Sequence, residues 1–386
     1  MKKTLLALAV LGAFAGAASA QTAVTIYGSF DGGVRHVTNV DAAGDSITKM
    51  GSNGTYNSNR IGFKGVEDLG GGLNAHFDLE TGFNTGTGTL DTPAGTTGTL
   101  FNRSAYVGLG GAFGSVDLGR QYSVNFKTIG AYDPFAYKYT AIIPLAAQGG
   151  LTRLNNDVQY TGTFGPVTAR AEYALGEVAG NTSGGSTTAI GVGYATGPFS
   201  VGGAYTQRKN NVKPPLLTGT AANATNGAFV TAFAGANPYQ DQKNWTVGGA
   251  FRTAAFSVAV GYADDKQDTG FASPGDQLRV KDAWVGGSFN LSPAAALTAG
   301  YYETKTSFDN ADGKRKLLIV GGTYALSKRT NFYADIDNAK FSGSAIGAGD
   351  FLTTSGLPYG QFSPLAGSPA TQDRQTGVSV GINHLF

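Results

Sequence analysis

The sequence predicts an all-β protein, a sixteen-stranded antiparallel β-barrel that crosses a membrane. Three observations predict this fold class: an alternation of apolar and polar side chains that recurs to the end of the chain, prolines confined to the segments between alternating stretches, and 59 glycines among 386 residues. Glycine is present at about twice its ordinary frequency. It disfavours helices and is common where sheets curve, so the composition favours strands.

The alternation is clear in the first predicted strand. Val24, Ile26 and Phe30 lie on one face, and Thr25 and Tyr27 lie on the other, which is the period of a β-strand. Sixteen segments share this pattern: 24–38, 56–67, 71–84, 100–110, 113–122, 153–163, 167–177, 188–196, 199–209, 243–252, 256–266, 278–290, 295–308, 313–325, 329–341 and 374–386. The even count places both chain termini on the periplasmic side of the membrane.

All thirteen prolines fall outside these segments. Because proline cannot donate a hydrogen bond to a sheet ladder, this is an independent test of the segmentation. Pro166, Pro198 and Pro293 fall in short links, and the other prolines fall in long connections. Short and long links alternate, as in transmembrane barrels that have short turns at one end and long loops at the other.

A soluble β-sandwich is the alternative fold with the same alternation. It would bury one apolar face against another, and it would rarely need so many similar strands. In a membrane barrel the apolar face contacts lipid, the polar face contacts water inside, and every backbone group is paired. The barrel is therefore favoured.

The first twenty residues are typical of a cleaved export signal. A basic start precedes an apolar run over residues 5–18, and Ala18-Ser19-Ala20 is the small-x-small pattern that signal peptidase recognises. The run is well short of the roughly 20 residues that a spanning helix needs. We expect a signal peptide over residues 1–20, a mature chain from Gln21 and export from the cytoplasm.

Charge and cysteine content exclude further classes. Loss of Lys2 and Lys3 with the signal lowers the Lys+Arg count from 28 to 26, equal to the 26 acidic residues, so the mature chain is formally neutral. No basic footprint for nucleic acid is visible. The chain has no cysteine, so backbone pairing and burial must stabilise it without disulfides.

Four motifs carry a resemblance to a known family. They are the segments 24–28 (VTIYG), 58–73 (SNRIGFKGVEDLGGGL), 101–109 (FNRSAYVGL) and 113–121 (FGSVDLGRQ). With the last strand, they resemble the general porin family of the type found in β-proteobacteria, over essentially the whole mature chain. The resemblance implies an outer-membrane channel of Gram-negative bacteria. It further implies that this channel passes small hydrophilic solutes and ions by passive diffusion, needs no cofactor and is not an enzyme.

The last strand resembles the assembly signature of outer-membrane proteins. Val378, Val380 and Ile382 share one face, His384 interrupts it, and the aromatic Phe386 ends the strand. The barrel-assembly machinery recognises such a strand during insertion, so we expect these residues to act as the assembly signal. The other partners implied by the resemblance are two further copies of the chain in a homotrimer, and outer-membrane lipid or lipopolysaccharide.

The family places a pore-narrowing loop, the third external loop, after the fifth strand of the sequence pattern. Here that loop is residues 123–152, thirty residues with little strand character, and a loop of this length in a compact fold is usually functional. Its many aromatic and aliphatic side chains favour packing against the barrel interior. The resemblance therefore implies that this loop folds inward.

The family opposes a basic wall to acidic groups on that loop. Arg60 and Arg120 match the family's motif positions, and Arg153 matches a looser one. Parity places Arg60, Arg153 and Arg170 on the polar face. Arg120 has the parity of the lipid face, so an inward position requires a bulge or twist near Gly119. Arg103 presents the same difficulty and completes the candidate wall.

The acidic side of the constriction departs from the family pattern. Asp133 is the only carboxylate of the loop, against Lys127 and Lys138. We therefore expect a weakly anion-preferring channel. A substrate-specific porin, a barrel acting mainly as an adhesin or structural protein, and an outer-membrane hydrolase are the alternatives; the three histidines are far apart in sequence and form no metal-spaced motif.

Overall fold

The computed structural model describes residues 23–40, 44–50, 55–91, 99–139, 142–145, 152–209, 241–268, 277–308, 311–343 and 373–386. The expected signal peptide over residues 1–20 lies outside the described residues. The strands are β1 (Ala23–Val37), β2 (Ile47–Met50), β3 (Arg60–Gly70), β4 (Leu73–Gly82), β5 (Ser104–Gly111), β6 (Gly114–Tyr122), β7 (Arg153–Phe164), β8 (Val167–Ala174), β9 (Thr187–Thr196), β10 (Phe199–Lys209), β11 (Asp241–Arg252), β12 (Phe256–Asp268), β13 (Gln277–Asn290), β14 (Ala295–Phe308), β15 (Ala311–Ala325), β16 (Thr330–Gly343) and β17 (Arg374–Leu385). Helix α1 (Val124–Ile129) and a 3₁₀ turn (Gly130–Tyr132) follow β6.

The strands form one closed antiparallel barrel. From β3 to β17 each strand pairs with its neighbour in sequence, and β1 pairs with β17 on one side and with β3 on the other. This confirms the sixteen-stranded antiparallel barrel, with every predicted strand boundary within four residues of the observed one. The sequence pattern did not predict β2, which pairs with the end of β1.

Strand alternation separates two faces. The outer face carries exposed apolar side chains, such as Val24 and Ile26 at 59% and 58% exposure, whereas the inner face carries buried polar ones. On β17 the exposed side chains are those of Val378, Val380 and Ile382. Because a soluble sheet would bury this apolar face, the arrangement is that of a barrel surrounded by lipid.

The two ends of the barrel chain meet at a seam between β1 and the end of β17. The backbone groups of Gly28 and Phe386 exchange two hydrogen bonds, of 3.2 and 3.3 Å. The ring of Phe386 stacks on Phe30, with 5.3 Å between centroids. A Cβ atom at Gly28 would lie 2.3 Å from the Phe386 ring, so only glycine leaves room for it.

On the inner face, an ion pair connects β1 with β16. The guanidinium of Arg35 donates two hydrogen bonds to the Asp337 carboxylate, of 2.7 and 3.1 Å, and one of 2.9 Å to the Ser379 hydroxyl of β17. Both charged side chains are fully buried. A bidentate pair of this kind fixes the relative position of the three strands.

The main apolar cluster lies inside the barrel and not between layers. It joins side chains of the segment after β6 to inward-facing side chains of β12 to β16: Ile129, Phe135, Tyr139, Ile142, Ile143, Leu145, Ala263, Trp284, Tyr302, Leu317, Ile319, Tyr333, Ala339 and Phe341. The aromatic and aliphatic content of residues 123–152 therefore has its packing partners on the barrel wall.

Candidate functional site

A cluster of arginines forms at the ends of β3, β5, β6 and β7. Its centre is Tyr122, the last residue of β6, whose hydroxyl accepts hydrogen bonds from Arg103 at 2.5 Å and Arg153 at 2.8 Å. The two guanidinium carbons lie 5.8 and 4.5 Å from the centroid of its ring. One tyrosine thus holds two cations side by side, through its oxygen and through the face of its ring.

A single carboxylate, Glu80 on β4, bridges two of the arginines. Its Oε1 accepts from Nε of Arg103 at 2.5 Å, and its Oε2 lies 3.5 Å from Nε of Arg60. Arg60 also donates to the backbone oxygen of Ser58 at 3.1 Å. Glu80 neutralises only part of this charge, so the cluster keeps a net positive charge while its guanidinium groups are held in place.

Arg120 reaches the cluster through an irregularity in β6. The register of β6 against β7 shifts between Gly119 and Gln121, and Gly119 has a φ of 141°, which favours glycine. Nε of Arg120 donates to the backbone oxygen of Asn102 at 2.8 Å, and its guanidinium donates to Asn155 at 2.5 Å. The bulge that parity required near Gly119 is present.

The remaining arginines of the predicted wall are placed differently. Arg103 precedes β5, which begins at Ser104, so strand parity does not govern its direction. Arg170, on β8, has its electrostatic interaction with Tyr132, at a different part of the wall. The structure therefore brings together Arg60, Arg103, Arg120 and Arg153, and leaves Arg170 apart.

Hydrogen bonds attach the segment after β6 to the opposite wall. The indole Nε1–H of Trp284 donates to the backbone oxygen of Tyr132 at 2.8 Å, and the Tyr302 hydroxyl donates to Oδ1 of Asp133 at 2.7 Å. Arg315 donates to the backbone oxygen of Ile142 at 2.6 Å. These contacts hold the segment to the inner face of β13 to β15 at Tyr132, Asp133 and Ile142.

Helix α1 begins beside the arginine cluster. Ser123 caps it by accepting a hydrogen bond from the Phe126 backbone N–H at 3.1 Å. Phe126 stacks between Tyr122 and Tyr137, with centroids 4.5 and 4.1 Å away. The aromatic stack connects the start of the segment, its middle and the tyrosine that holds the arginines.

Within the described residues no helix is both long and apolar enough to cross a membrane. No group of three or more histidine, aspartate or glutamate side chains in the described ranges is arranged to hold a metal ion.

The sequence profile of the Gram-negative porin family matches residues 7–344. The chain belongs to the Gram-negative porin family. It is 32% identical to outer membrane porin protein 32 of Delftia acidovorans over 406 aligned residues, which cover all of both chains. It is also 32% identical to an outer membrane porin protein of Bordetella pertussis over 371 residues, 86% of this chain and 93% of that one.

A solved structure shares the fold. An anion-selective porin from Comamonas acidovorans superposes with a TM-score of 0.69 at 25% sequence identity, covering 95% of this chain and all of that one. The family, the relatives and the barrel together make this protein an outer-membrane channel that passes small solutes, as the sequence motifs predicted.

The charged side chains of the segment after β6 in this porin have unequal surroundings. Asp133 is buried; besides Tyr302, the backbone N–H of Tyr137 donates to it at 2.7 Å. Burial raises the pKa of Asp133 to about 6, although these hydrogen bonds act in the opposite direction. The only carboxylate of residues 123–152 therefore faces the wall and not the arginine cluster.

Lys127 contacts polar side chains of β6 and β7. Its Nζ donates to Gln121 at 3.2 Å and to Gln159, and it interacts electrostatically with three carboxylates of the wall, those of Asp117, Asp157 and Glu172. Burial lowers the pKa of Lys127. Its charge is balanced locally, so it adds little to the field across the pore.

Lys138 lies on the same side as the arginines. Its Nζ is 5.4 Å from the centroid of the Tyr56 ring, and burial together with repulsion from Arg60 lowers the pKa of Lys138 to about 8. Next to it, the backbone N–H of Tyr139 donates to the backbone oxygen of Tyr56 at 2.7 Å. The stretch before β3 and the segment after β6 are thus hydrogen-bonded to each other.

Sequence reasoning missed Tyr122 and Glu80. Glu80 lies on the polar face of its predicted strand, whereas Tyr122 shares the parity of Arg120 and the lipid-facing Leu118. Neither residue type belongs to the basic wall that the family motif suggested. A tyrosine at the end of β6, one residue before the loop and two after Arg120, was the only local signal.

Proposed function

We propose that this porin is a weakly anion-preferring, water-filled channel for the passive diffusion of small hydrophilic solutes and ions. The arginine cluster carries this proposal: Arg60, Arg103, Arg120 and Arg153 lie together, and one carboxylate, that of Glu80, contacts two of them. Anions entering the lumen meet a fixed net positive charge, which lowers their barrier relative to that of cations. The anion-selective porin of similar structure agrees with this sign.

We propose further that residues 123–152 narrow the pore. The hydrogen bonds of Tyr132, Asp133 and Ile142 to β13, β14 and β15 attach this segment opposite the arginine cluster. The arginine cluster adjoins both ends of the same segment: Tyr122, which binds Arg103 and Arg153, precedes residue 123, and Arg153 follows residue 152. A solute that crosses the barrel therefore passes between a basic wall and a segment whose only carboxylate is turned away.

The proposal extends to export, assembly and partners. Residues 1–20 act as the signal peptide, the last strand with Phe386 as the signal read by the barrel-assembly machinery, and three copies form a homotrimer. The channel acts without a cofactor and catalyses no reaction. Conduction by protein refolded without any added metal or organic group would support the statement that the channel needs no cofactor.

A planar-bilayer measurement on the wild-type protein tests the channel and its selectivity separately. Stepwise conductance increases are expected on insertion, with a reversal potential in a potassium chloride gradient whose sign indicates chloride preference. Absence of conductance in correctly folded protein would overturn the channel. A reversal potential of the cation-selective sign would overturn the arginine-cluster assignment alone.

A further inference from the structure

The segment after β6 lies directly against glycines of the barrel wall. Six glycines, on β9, β10, β11, β13, β14 and β15, have an atom of this segment within 3.0 Å of the place where a Cβ would be: Gly191, Gly202, Gly248, Gly286, Gly300 and Gly321. We call these six residues the wall glycines. Strand alternation places them on the same face as the buried polar side chains, so they face the lumen.

The order of these contacts along the segment follows the order of the strands. The contacts are Gly191 with Val124 and Thr128, Gly202 and Gly248 with Tyr132, Gly286 with Pro134, Gly300 with Phe135, and Gly321 with Tyr139. Two neighbouring couples are directly opposite each other in the sheet, Gly202 with Gly248 and Gly286 with Gly300. The segment therefore crosses the wall from β9 to β15, and at each of these steps it rests on bare backbone.

On β12, the inward-facing glycine makes room for the side chain that holds the segment. Gly261 is directly opposite both Gly248 and Trp284, and the indole ring of Trp284 occupies the place where a Cβ of Gly261 would be. The indole Nε1–H donates to the backbone oxygen of Tyr132 at 2.8 Å. The attachment of the segment and its depth at Tyr132 therefore both depend on adjacent glycines.

Glycines on the outer face of the same strands have different surroundings. Gly249 and Gly322 directly follow two of the wall glycines in sequence, but they face outward. A Cβ on Gly249 would lie 3.5 Å from its nearest neighbour, and a Cβ on Gly322 would lie 3.9 Å from its own. These are ordinary van der Waals distances. A methyl group therefore fits on the outer face and not beneath the segment.

Gly248 faces the stem of the Tyr132 side chain. A Cβ on Gly248 would lie 2.6, 2.7 and 2.8 Å from Cβ, Cγ and Cδ2 of Tyr132, whereas carbon atoms in contact keep about 3.5–4.0 Å. Because the stem adjoins the backbone, a rotation of the side chain cannot clear this contact. The backbone at Tyr132 would have to move about 1 Å away from the wall, which is toward the pore axis.

Gly321 faces the tip of the Tyr139 side chain. The Tyr139 hydroxyl is buried, has no hydrogen-bond partner among the described residues and would lie 3.0 Å from a Cβ on Gly321. The rings of Tyr56 and Tyr333 pack against the Tyr139 ring, with centroids 5.2 and 6.2 Å away. The space over Gly321, and not a hydrogen bond of the hydroxyl, therefore determines how close this ring lies to the wall.

We propose that the wall glycines are positioning residues that determine the size limit for solutes, because they set how deep the segment after β6 lies against the wall. The proposal rests on the narrowing of the pore by residues 123–152, proposed above. Tyr122 and Glu80 hold the arginines on the other side of the passage. The free width therefore depends on the depth of the segment, and a methyl group beneath it should reduce the largest solute that passes.

The test uses the full-length mature porin in planar bilayers and in liposomes. Gly248→Ala is compared with Gly249→Ala, and Gly321→Ala is compared with Gly322→Ala. Within each pair, the second substitution adds the same methyl group to the same strand on the outer face. Single-channel conductance is measured in the bilayers. The permeation rates of a monosaccharide and of a trisaccharide are measured by liposome swelling, and their ratio reports the size limit.

We expect Gly248→Ala to lower the conductance by roughly a fifth and the ratio of trisaccharide to monosaccharide permeation by about threefold, because a narrower passage excludes the larger solute more strongly. The outer-face variants should behave as wild type. Gly321→Ala should act in the same direction but less. Addition of Tyr139→Phe should restore its permeation ratio, because the atom nearest to the new methyl group is removed. A loss of stability alone would not change the ratio of two solutes.

An unchanged permeation ratio in Gly248→Ala would overturn the proposal, as would an equal change in Gly249→Ala. Tyr302→Phe, which removes a hydrogen bond of the segment, separates this failure from that of the narrowing itself. Altered conductance in Tyr302→Phe with an unchanged ratio in Gly248→Ala overturns only the role of the wall glycines, whereas no change in either variant overturns both proposals. If Gly248→Ala does not refold, an unchanged ratio in Gly321→Ala decides against the proposal.

Discussion

The phenolic oxygen of Tyr302 lies 2.7 Å from Oδ1 of Asp133. The two residues are far apart in sequence, and their hydrogen bond converts the only carboxylate of residues 123–152 into an attachment to the wall. The segment after β6 therefore contributes no unpaired negative charge opposite the arginines, and the selectivity that we propose for the channel depends on the arginine side.

Tyr302→Phe should weaken the attachment of the segment after β6 to the barrel wall without unfolding the barrel. Removal of the hydroxyl leaves a buried carboxylate with one donor fewer, which costs about 1–3 kcal/mol. Single-channel recordings are expected to show larger and noisier conductance, while the temperature of heat modification changes little. Tyr301→Phe, on the outer face of the same strand, is the control and should behave as wild type; indistinguishable recordings from the two variants would contradict the attachment.

Replacement of Arg60 and Arg153 with glutamine should shift the reversal potential toward cation selectivity. The double variant removes two of the four clustered cations while Glu80 stays, so we expect the chloride preference to fall roughly twofold at 0.1 M salt and less at 1 M, where the screening length is about 3 Å. Lys316→Gln, on the outer face, is the control. A shift of the same size in the control would argue against a local effect of the cluster.

Chloride preference should decrease as the pH rises through about 8. Burial and Arg60 lower the pKa of Lys138 to about 8, so Lys138 is charged at pH 6.5 and neutral at pH 9.5. The lumen loses one positive charge across that window, and the reversal potential should move in the cation direction. Arginine keeps its charge throughout, so Lys138→Arg should remove most of this dependence. A midpoint that persists in this variant would assign the titration to another group.

Gly28→Ala should destabilise the seam of the barrel. The added Cβ would lie 2.3 Å from the ring of Phe386 and 2.6 Å from the backbone oxygen of Arg60, an overpacking that typically costs about 1–3 kcal/mol. Gly32→Ala is a close control because it lies on the same strand and face with nothing within 4 Å of the new Cβ. The temperature of heat modification should fall for the first variant only.

Deletion of Phe386 should impair barrel assembly and leave export intact. The deletion removes both backbone hydrogen bonds to Gly28 and the stacking on Phe30. We expect accumulation of unfolded chains in the periplasm and a reduced outer-membrane yield, measured by fractionation and heat modification. The Phe386→Tyr variant, which keeps an aromatic ring, should assemble nearly normally; a normal yield of the truncated chain would exclude the role of this residue.

The alternation of side chains was sufficient to predict the barrel, because a strand's two faces are determined by local sequence alone. It also predicted the irregularity at Gly119, since an inward Arg120 conflicted with the parity of Leu118 and Val116. The short strand β2 was not predicted. Four residues are too few to show a period, and its pairing with β1 depends on the turn that joins them.

The partners of the site residues could not be predicted in the same way. Asp133 and Tyr302, or Arg103 and Glu80, meet only when strand register and loop path are known. Arg103 also shows where parity fails: it precedes the first residue of β5, so the strand period does not apply to it. The sequence proposed all four arginines that cluster, and the structure supplied the tyrosine and the glutamate that hold them.

The hydrogen bond from Tyr139 to the backbone oxygen of Tyr56 has a consequence for engineering the pore. Tyr56 also stacks on Tyr333 of the wall, with 5.0 Å between centroids, and the ammonium group of Lys138 lies over the Tyr56 ring. The stretch before β3 and the segment after β6 are therefore bonded to each other, and both pack against Tyr333 of the wall. A nanopore designer who grafts or shortens one of them must exchange both together, because a transplant of either alone would leave the other without its neighbour.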